Sequence, residues 1–341
     1  MSDFNGDALE RVLRNAFGRS VDRDINRLID EAHSLIDCHR PREAMVSARS
    51  ALALAEQHEV IMPSGAMLHL GYALSDVHDN DGALGCYQLA RDRFVVKGDV
   101  TGIAHVDMNI AIVLTQLDRH DEAVELLEEA SAVFAKRGAA DELDACRVNL
   151  TSALRGAGRF AEAVEVGRQA VEAVRQAGDA RRLPDALSNM ADAELGNGNR
   201  EAARVAYIEA LDLFRKLGLP TEEADCLDGL GVIARQDGLF DFAASMHAKA
   251  ITMYEGRDHD VDQAVARYNL AITELWRCNY GVALREALLA SKFPVTVLDP
   301  AMVVAAALDG LGRRGEAAVS RAGFVERQGA DGVEREAASL P

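Results

Sequence analysis

The sequence predicts an all-α protein built from repeated antiparallel helix pairs, and three observations predict it. Alanine recurs every 40 residues in two registers, at Ala83, Ala123, Ala163, Ala203, Ala243 and Ala283, and at Ala90, Ala130, Ala170, Ala210, Ala250 and Ala290. Gly98, Gly138, Gly178 and Gly218 keep the same spacing. Composition agrees: 58 of 341 residues are alanine, 49% are hydrophobic and only 5% are aromatic. An all-β chain of this length needs more β-branched and aromatic residues. A disulfide scaffold needs more than five cysteines, and a disordered chain is not so apolar.

The elements follow in chain order. Asp7-Ala8-Leu9-Glu10 forms a capping box, Gly18 a stop, and Leu9, Val12, Leu13, Ala16 and Phe17 one apolar stripe between them. So short a helix is unstable alone and must dock. Residues 1–23 are therefore expected to cap the exposed edge of the first repeat. A dimerisation helix or an internal ligand is the alternative.

Repeats are expected over 24–328, about eight in all. A first unit fits over 24–58 after a 39-residue step, aligning Ala44 and Ala51 with Ala83 and Ala90. Within each unit the first helix, as in Ile103 to Leu117, ends at a polar turn. The second, as in Glu122 to Arg137, ends at a glycine suited to the left-handed C′ position. A third register of small residues, Gly71, Ala111, Thr151, Ala191, Gly231 and Ala271, follows a large apolar one at Leu70, Ile110, Leu150, Met190, Leu230 and Leu270. Small residues let neighbouring helices approach closely. Phe293-Pro294 through Asp299-Pro300 breaks the pattern and shortens the last step to 34 residues. The tail over 329–341 lacks periodicity and is expected to fray.

These residues resemble the tetratricopeptide repeat. The large-small pair, alanine twelve positions later and another seven further on all match. So do a turn glycine (Gly158, Gly198, Gly238), the aromatic register Phe160, Phe240 and Tyr280, and asparagine before the large residue. The departures are a 40-residue unit, longer than usual for the family, and replacement of its aromatic signature, for instance by Arg147 and Leu154. The variety resembles repeats of bacterial signalling regulators and kinesin-light-chain-like proteins. The resemblance implies a right-handed superhelical solenoid whose first helices line a concave groove.

It also implies a binding face. Asparagine in this register often grips a peptide backbone in the family, through an amide that both donates and accepts. Asn109, Asn149, Asn189 and Asn269 would form such a ladder, interrupted by His69 and Gly229. The competing reading has these amides bracing adjacent repeats. Neighbouring inward positions would be acidic at Asp185, Asp192, Asp225 and Asp228, opposed by Arg235, and then aromatic-apolar at Tyr268, Ile272 and Trp276. That gradient suits a basic peptide with one bulky anchor. Val148, Ser188 and Asp228 stand where receptors for chaperone tails would place their key basic residue, which weakens that reading.

A formal net charge of −18 disfavours nucleic acid and anionic membrane as partners. No secretory signal is visible, and Cys38, Cys86, Cys146, Cys226 and Cys278 read as buried thiols of a reducing cytoplasm. Arginine far outnumbers the five lysines, which points to a bacterium. No nucleotide, metal or nucleophile motif stands out. The expectation is a cytoplasmic, non-enzymatic scaffold or adaptor without cofactor or metal, binding a peptide or protein segment in regulation or assembly. The rivals are a pheromone-type peptide receptor or sensor of transcriptional control, and an accessory enzyme subunit. A homodimer through the N-terminal helix or the C-terminal repeats is a further expectation.

Overall fold

A computed structural model describes residues 23–32, 40–58, 64–76, 79–256, 259–293 and 299–324, together with 21, 34, 35 and 340. These residues form sixteen helices, with no strand among them. The expected N-terminal helix and all of the tail except Leu340 lie outside the described residues.

Two compact units divide the chain, residues 1–159 and 160–341. In the first, α1 covers residues 23–32 and is followed by α2 (Pro41–Gln57), α3 (Ser64–Asp76), α4 (Asn80–Lys97), α5 (Val100–Gln116), α6 (His120–Arg137) and α7 (Ala140–Gly156). The second contains α8 (Phe160–Ala177), α9 (Leu183–Gly196), α10 (Arg200–Leu217), α11 (Pro220–Gln236), α12 (Phe240–Tyr254), α13 (Asp260–Trp276), α14 (Tyr280–Ala290) and α15 (Ala301–Gly310). Residues 314–324 complete the last pair as α16. Odd-numbered helices are the first of each pair.

The registers read from sequence are the contact surfaces. Both 40-residue alanine series are buried at every position, as is the Gly71-to-Ala271 series. Each alanine meets the facing helix closely, so an added side chain has no room. Gly98, Gly138, Gly178 and Gly218 all adopt left-handed backbone, φ 66–72°, where a Cβ would clash. The N–H groups of Gly138 and Ala139 then close the end of α6 on Ala135 O and Phe134 O.

A second left-handed register closes the first helices. Gly158, Gly198 and Gly238 occupy it with φ 73°, 82° and 77°. Asp118 and Cys278 hold the same position without being glycine, at φ 58° and 59°. Cys278 is exposed, while Cys86, Cys146 and Cys226 are buried; Cys38 lies outside the described residues. The expectation of five buried thiols is corrected at Cys278, because the left-handed turn carries its side chain outward. Burial pushes the Cys86 thiol up to about 11 and Cys226 up to about 12, which keeps both protonated.

Two first helices end on a buried carboxylate. Glu194 accepts from Asn199 Nδ2 at 2.6 Å and Arg168 Nη2 at 2.7 Å. Glu274 repeats the device with Asn279 Nδ2 at 2.7 Å and Arg277 Nη1 at 2.6 Å. The same register holds buried Leu114 and Leu154 in the first unit, so the acid is tolerated only because donors surround it.

At the C-terminal end α14 is only 11 residues long. Tyr268, Ala271, Ile272 and Leu275 of α13 pack there with Val303, Val304 and Leu308 of α15. Leu340 packs against this cluster, so the fraying expected of the tail does not extend to that residue.

Candidate functional site

The second helices of the second unit enclose polar rings at three positions. At the level of Leu127 in α6, α10 carries Tyr207 and α12 carries His247. At the level of Phe94, Phe134 and Phe214, α12 carries Tyr254. All three are enclosed, with relative exposures of 2% for Tyr207, 0% for His247 and 3% for Tyr254. Each therefore needs a hydrogen-bond partner for its polar atom.

Glycines on α11 make the space. A Cβ at Gly229 would lie 2.4 Å from Tyr207 Cζ, and one at Gly231 would lie 2.6 Å from His247 Cε1. Gly229, which interrupts the asparagine register in the sequence, is thus the bed of a tyrosine ring.

The partners are carboxylates on α9 and α11. The Tyr207 hydroxyl donates to Asp192 Oδ1 and the Tyr254 hydroxyl to Asp225 Oδ1. His247 Nδ1 lies 2.6 Å from Asp228 Oδ1, so the acceptor carboxylate assigns the proton to Nδ1. Asn269 Nδ2 of α13 donates to Asp228 Oδ2 at 2.7 Å. Asp228 therefore joins three helices, α11, α12 and α13. His247 Nε2 and Arg235 Nε are buried with no hydrogen-bond partner among the described residues.

Helix spacing puts Asp185 and Asp192 on one face of α9, and Asp225 and Asp228 on the corresponding face of α11. Asp185 and Asp225 are one repeat apart, as are Glu222 and Asp262. Burial pushes the Asp225 carboxyl up to about 7, with Asp262, Asp192 and Glu222 adding to the rise and the Tyr254 hydroxyl opposing it. Burial also raises Asp185, to about 6, with Glu222 and Asp179 adding and Arg182 opposing. Asp185 and Asp225 are both exposed, so solvent screens the repulsion among these acids. Burial lowers Arg235, and Asp228 opposes that shift.

The other sequence-derived residues fall in different settings. Asn109 is only 1% exposed and donates Nδ2 to His105 O of its own helix at 2.8 Å. It offers no amide to an open surface, because α5 buries that side. Asn149 and Asn189 are half-buried, and His69 is exposed. Asn269 does meet the preceding repeat, through Asp228. Tyr268 and Ile272 are buried in the α13–α15 core, which corrects the expectation that they line an open pocket. Both pack in one cluster with Val303, Val304 and Leu308 of α15. Trp276 is 42% exposed and stacks on Phe240, ring centroids 5.7 Å apart and planes 8° from parallel.

Sequence reasoning identified the carboxylates and missed Tyr207, His247 and Tyr254 beneath them. The available signal was the register itself: polar rings stand at the Leu127 and Phe134 registers of α10 and α12, and Tyr207 and His247 face glycines as Tyr87 faces Gly71.

With this geometry in place, comparison with known proteins is informative. Residues 101–176 and 182–256 match the tetratricopeptide repeat family model. Those two stretches are tetratricopeptide repeats. Among solved structures, a Rap protein complexed with Competence and Sporulation Factor is 14% identical and has a TM-score of 0.62, over 93% of this chain and 99% of that one. The apo quorum sensor NprR from B. thuringiensis is also 14% identical, with a TM-score of 0.62 over 94% of each chain. A signal-transduction ATPase with a tetratricopeptide repeat sensor from Pyrococcus horikoshii is 16% identical, with a TM-score of 0.62. The match takes in 95% of this chain and 49% of the ATPase. At such identities the likeness establishes a shared helical-solenoid fold. No curated protein matches the chain. No helix among the described residues is long and apolar enough to cross a membrane.

Proposed function

We propose that this repeat protein is a cytoplasmic, non-enzymatic scaffold or adaptor that holds a basic protein or peptide segment on the first-helix face of its second unit. One observation carries the reading: Asp192 and Asp225 are each held at one oxygen by a buried tyrosine hydroxyl from a second helix, and Asp228 is fixed beside them by His247 and Asn269. A carboxylate fixed in this way loses little freedom on accepting a guanidinium or ammonium group, so more of the interaction appears as affinity. Asp185, Glu222 and Asp262 extend the same negative field across three successive first helices. Asn189, on the same face of α9, supplies an amide for the backbone of the bound segment. The exposed Trp276 ring supplies an apolar anchor point at the end of α13.

The second reading is a receptor or sensor for a signalling ligand. It is supported by the fold shared with the Rap protein in its Competence and Sporulation Factor complex and with the quorum sensor NprR. Affinity capture from bacterial lysate separates the two. A retained protein, lost on Asp192→Asn plus Asp225→Asn substitution, supports the scaffold. A small co-purifying ligand identified by mass spectrometry supports the receptor.

A further inference from the structure

We propose that the carboxylate cluster on α9, α11 and α13 takes up protons as solution falls from mildly basic to mildly acidic, so that acidification loosens its hold on a cationic segment. The proposal rests on the reading of that face given above and adds its regulation.

The geometry is a group of like charges around Asp225. From α9 it is faced by Asp192, with Asp185 further along the same face, and from its own helix by Glu222. From α13 comes Asp262, whose Oδ2 is 3.0 Å from His259 Nδ1. From α12 comes the Tyr254 hydroxyl, a neutral donor whose own ionisation burial and Asp225 suppress. His247 of α12 is committed to Asp228 and Tyr207 of α10 to Asp192. Of the nearby cations, Arg182 lies 3.1 Å from Asp179 and opposes the rise at Asp185, and Arg235 acts on Asp228.

Among the described residues, Asp225 thus meets the carboxylates of Asp262, Asp192 and Glu222 and the phenol of Tyr254. Repulsion among neighbouring carboxylates and partial removal from water both favour the protonated acid. The first proton relieves the repulsion for the whole group, so uptake belongs to the cluster as much as to one residue. The raised positions of Asp225, about 7, and Asp185, about 6, place this exchange between acidic and neutral solution. A cationic partner disfavours protonation, and by linkage protonation disfavours the partner.

The test uses the full chain in two arms. Potentiometric titration of wild type and Asp225→Asn in 0.1 M KCl gives a difference curve for the free protein. The asparagine retains an acceptor for Tyr254. A difference step centred between about pH 6 and 7.5 supports proton uptake. A difference confined below about pH 5 overturns the proposal. In the second arm, a hexa-arginine peptide is titrated at pH 8.0 and 5.5. Wild type should bind roughly fivefold more weakly at the lower pH, and Asp225→Asn should show a smaller change. Glu125→Gln, an exposed acid on α6, controls for the overall charge. Equal pH dependence in wild type and Asp225→Asn overturns the regulatory role. Absence of peptide binding at pH 8.0 overturns both the regulatory role and the reading of the face beneath it, while the titration step still reports proton uptake by itself.

Discussion

His247 and Asp228 form a pair 2.6 Å apart in which the imidazole is wholly enclosed, and Asn269 of the next repeat completes the carboxylate's bonding. The pair ties a second helix to two first helices. Asp228→Ala strands a buried imidazole N–H and the amide of Asn269. It should cost about 1–3 kcal/mol, read as a lower urea midpoint. Asp228→Asn should cost less, because it keeps one acceptor oxygen. Equal losses in the two variants would show that the bonds to Asp228 contribute little.

Gly229 and Gly231 lie against buried rings, as Gly71 lies against Tyr87. Gly229→Ala and Gly231→Ala drive a methyl group into the Tyr207 and His247 rings and should destabilise by about 1–3 kcal/mol. Gly85, within α4, has nothing within 4 Å of an added Cβ, so Gly85→Ala should gain about 0.5–1 kcal/mol. Thermal melts of the three variants give the comparison, and the sign must differ between the two sets.

The left-handed register gives a matched pair. Cys278 holds φ 59° where Gly238 holds 77°. Cys278→Gly should raise stability by about 0.5–1 kcal/mol, and Gly238→Ala should lower it by about 1 kcal/mol or more. Denaturant midpoints decide it. A destabilised Cys278→Gly would mean that the thiol makes a contact worth more than the strain of its backbone.

Much of this framework is legible in the sequence because close packing repeats. An alanine forced by helix contact at Ala203 is forced again at Ala243 and Ala283, so period alone exposes it. The glycine turns follow for the same reason. The polar rings were not legible in that way, because Tyr207, His247 and Tyr254 break the period instead of keeping it. Their meaning appears only when the facing glycines and carboxylates are placed in space. The fate of Tyr268 and Ile272 was hidden similarly: their registers are half-buried in α9 and α11 but fully buried in α13, where they pack with α15.

The raised Asp225 carboxyl also fixes a pH dependence of stability. Its ordinary value is 3.8 and burial lifts it to about 7 in the fold. Between those values the folded chain binds a proton that the unfolded chain releases, so its contribution to stability is present at the acid end and lost as pH rises through the window. Asp185 acts in the same sense up to about 6. Relative to wild type, Asp225→Asn should therefore gain stability progressively from about pH 4 to 8. Urea midpoints for both proteins across that range provide the check, and parallel curves contradict it.

The central claim is that the first-helix face of the second unit holds a basic segment. Fluorescence anisotropy of a labelled hexa-arginine peptide at pH 8.0 and 0.15 M salt tests it most directly, comparing wild type with Asp192→Asn plus Asp225→Asn and with Glu125→Gln. The account predicts at least a roughly tenfold loss of affinity in the double variant, and wild-type binding in Glu125→Gln. Equal affinity in all three proteins would contradict it.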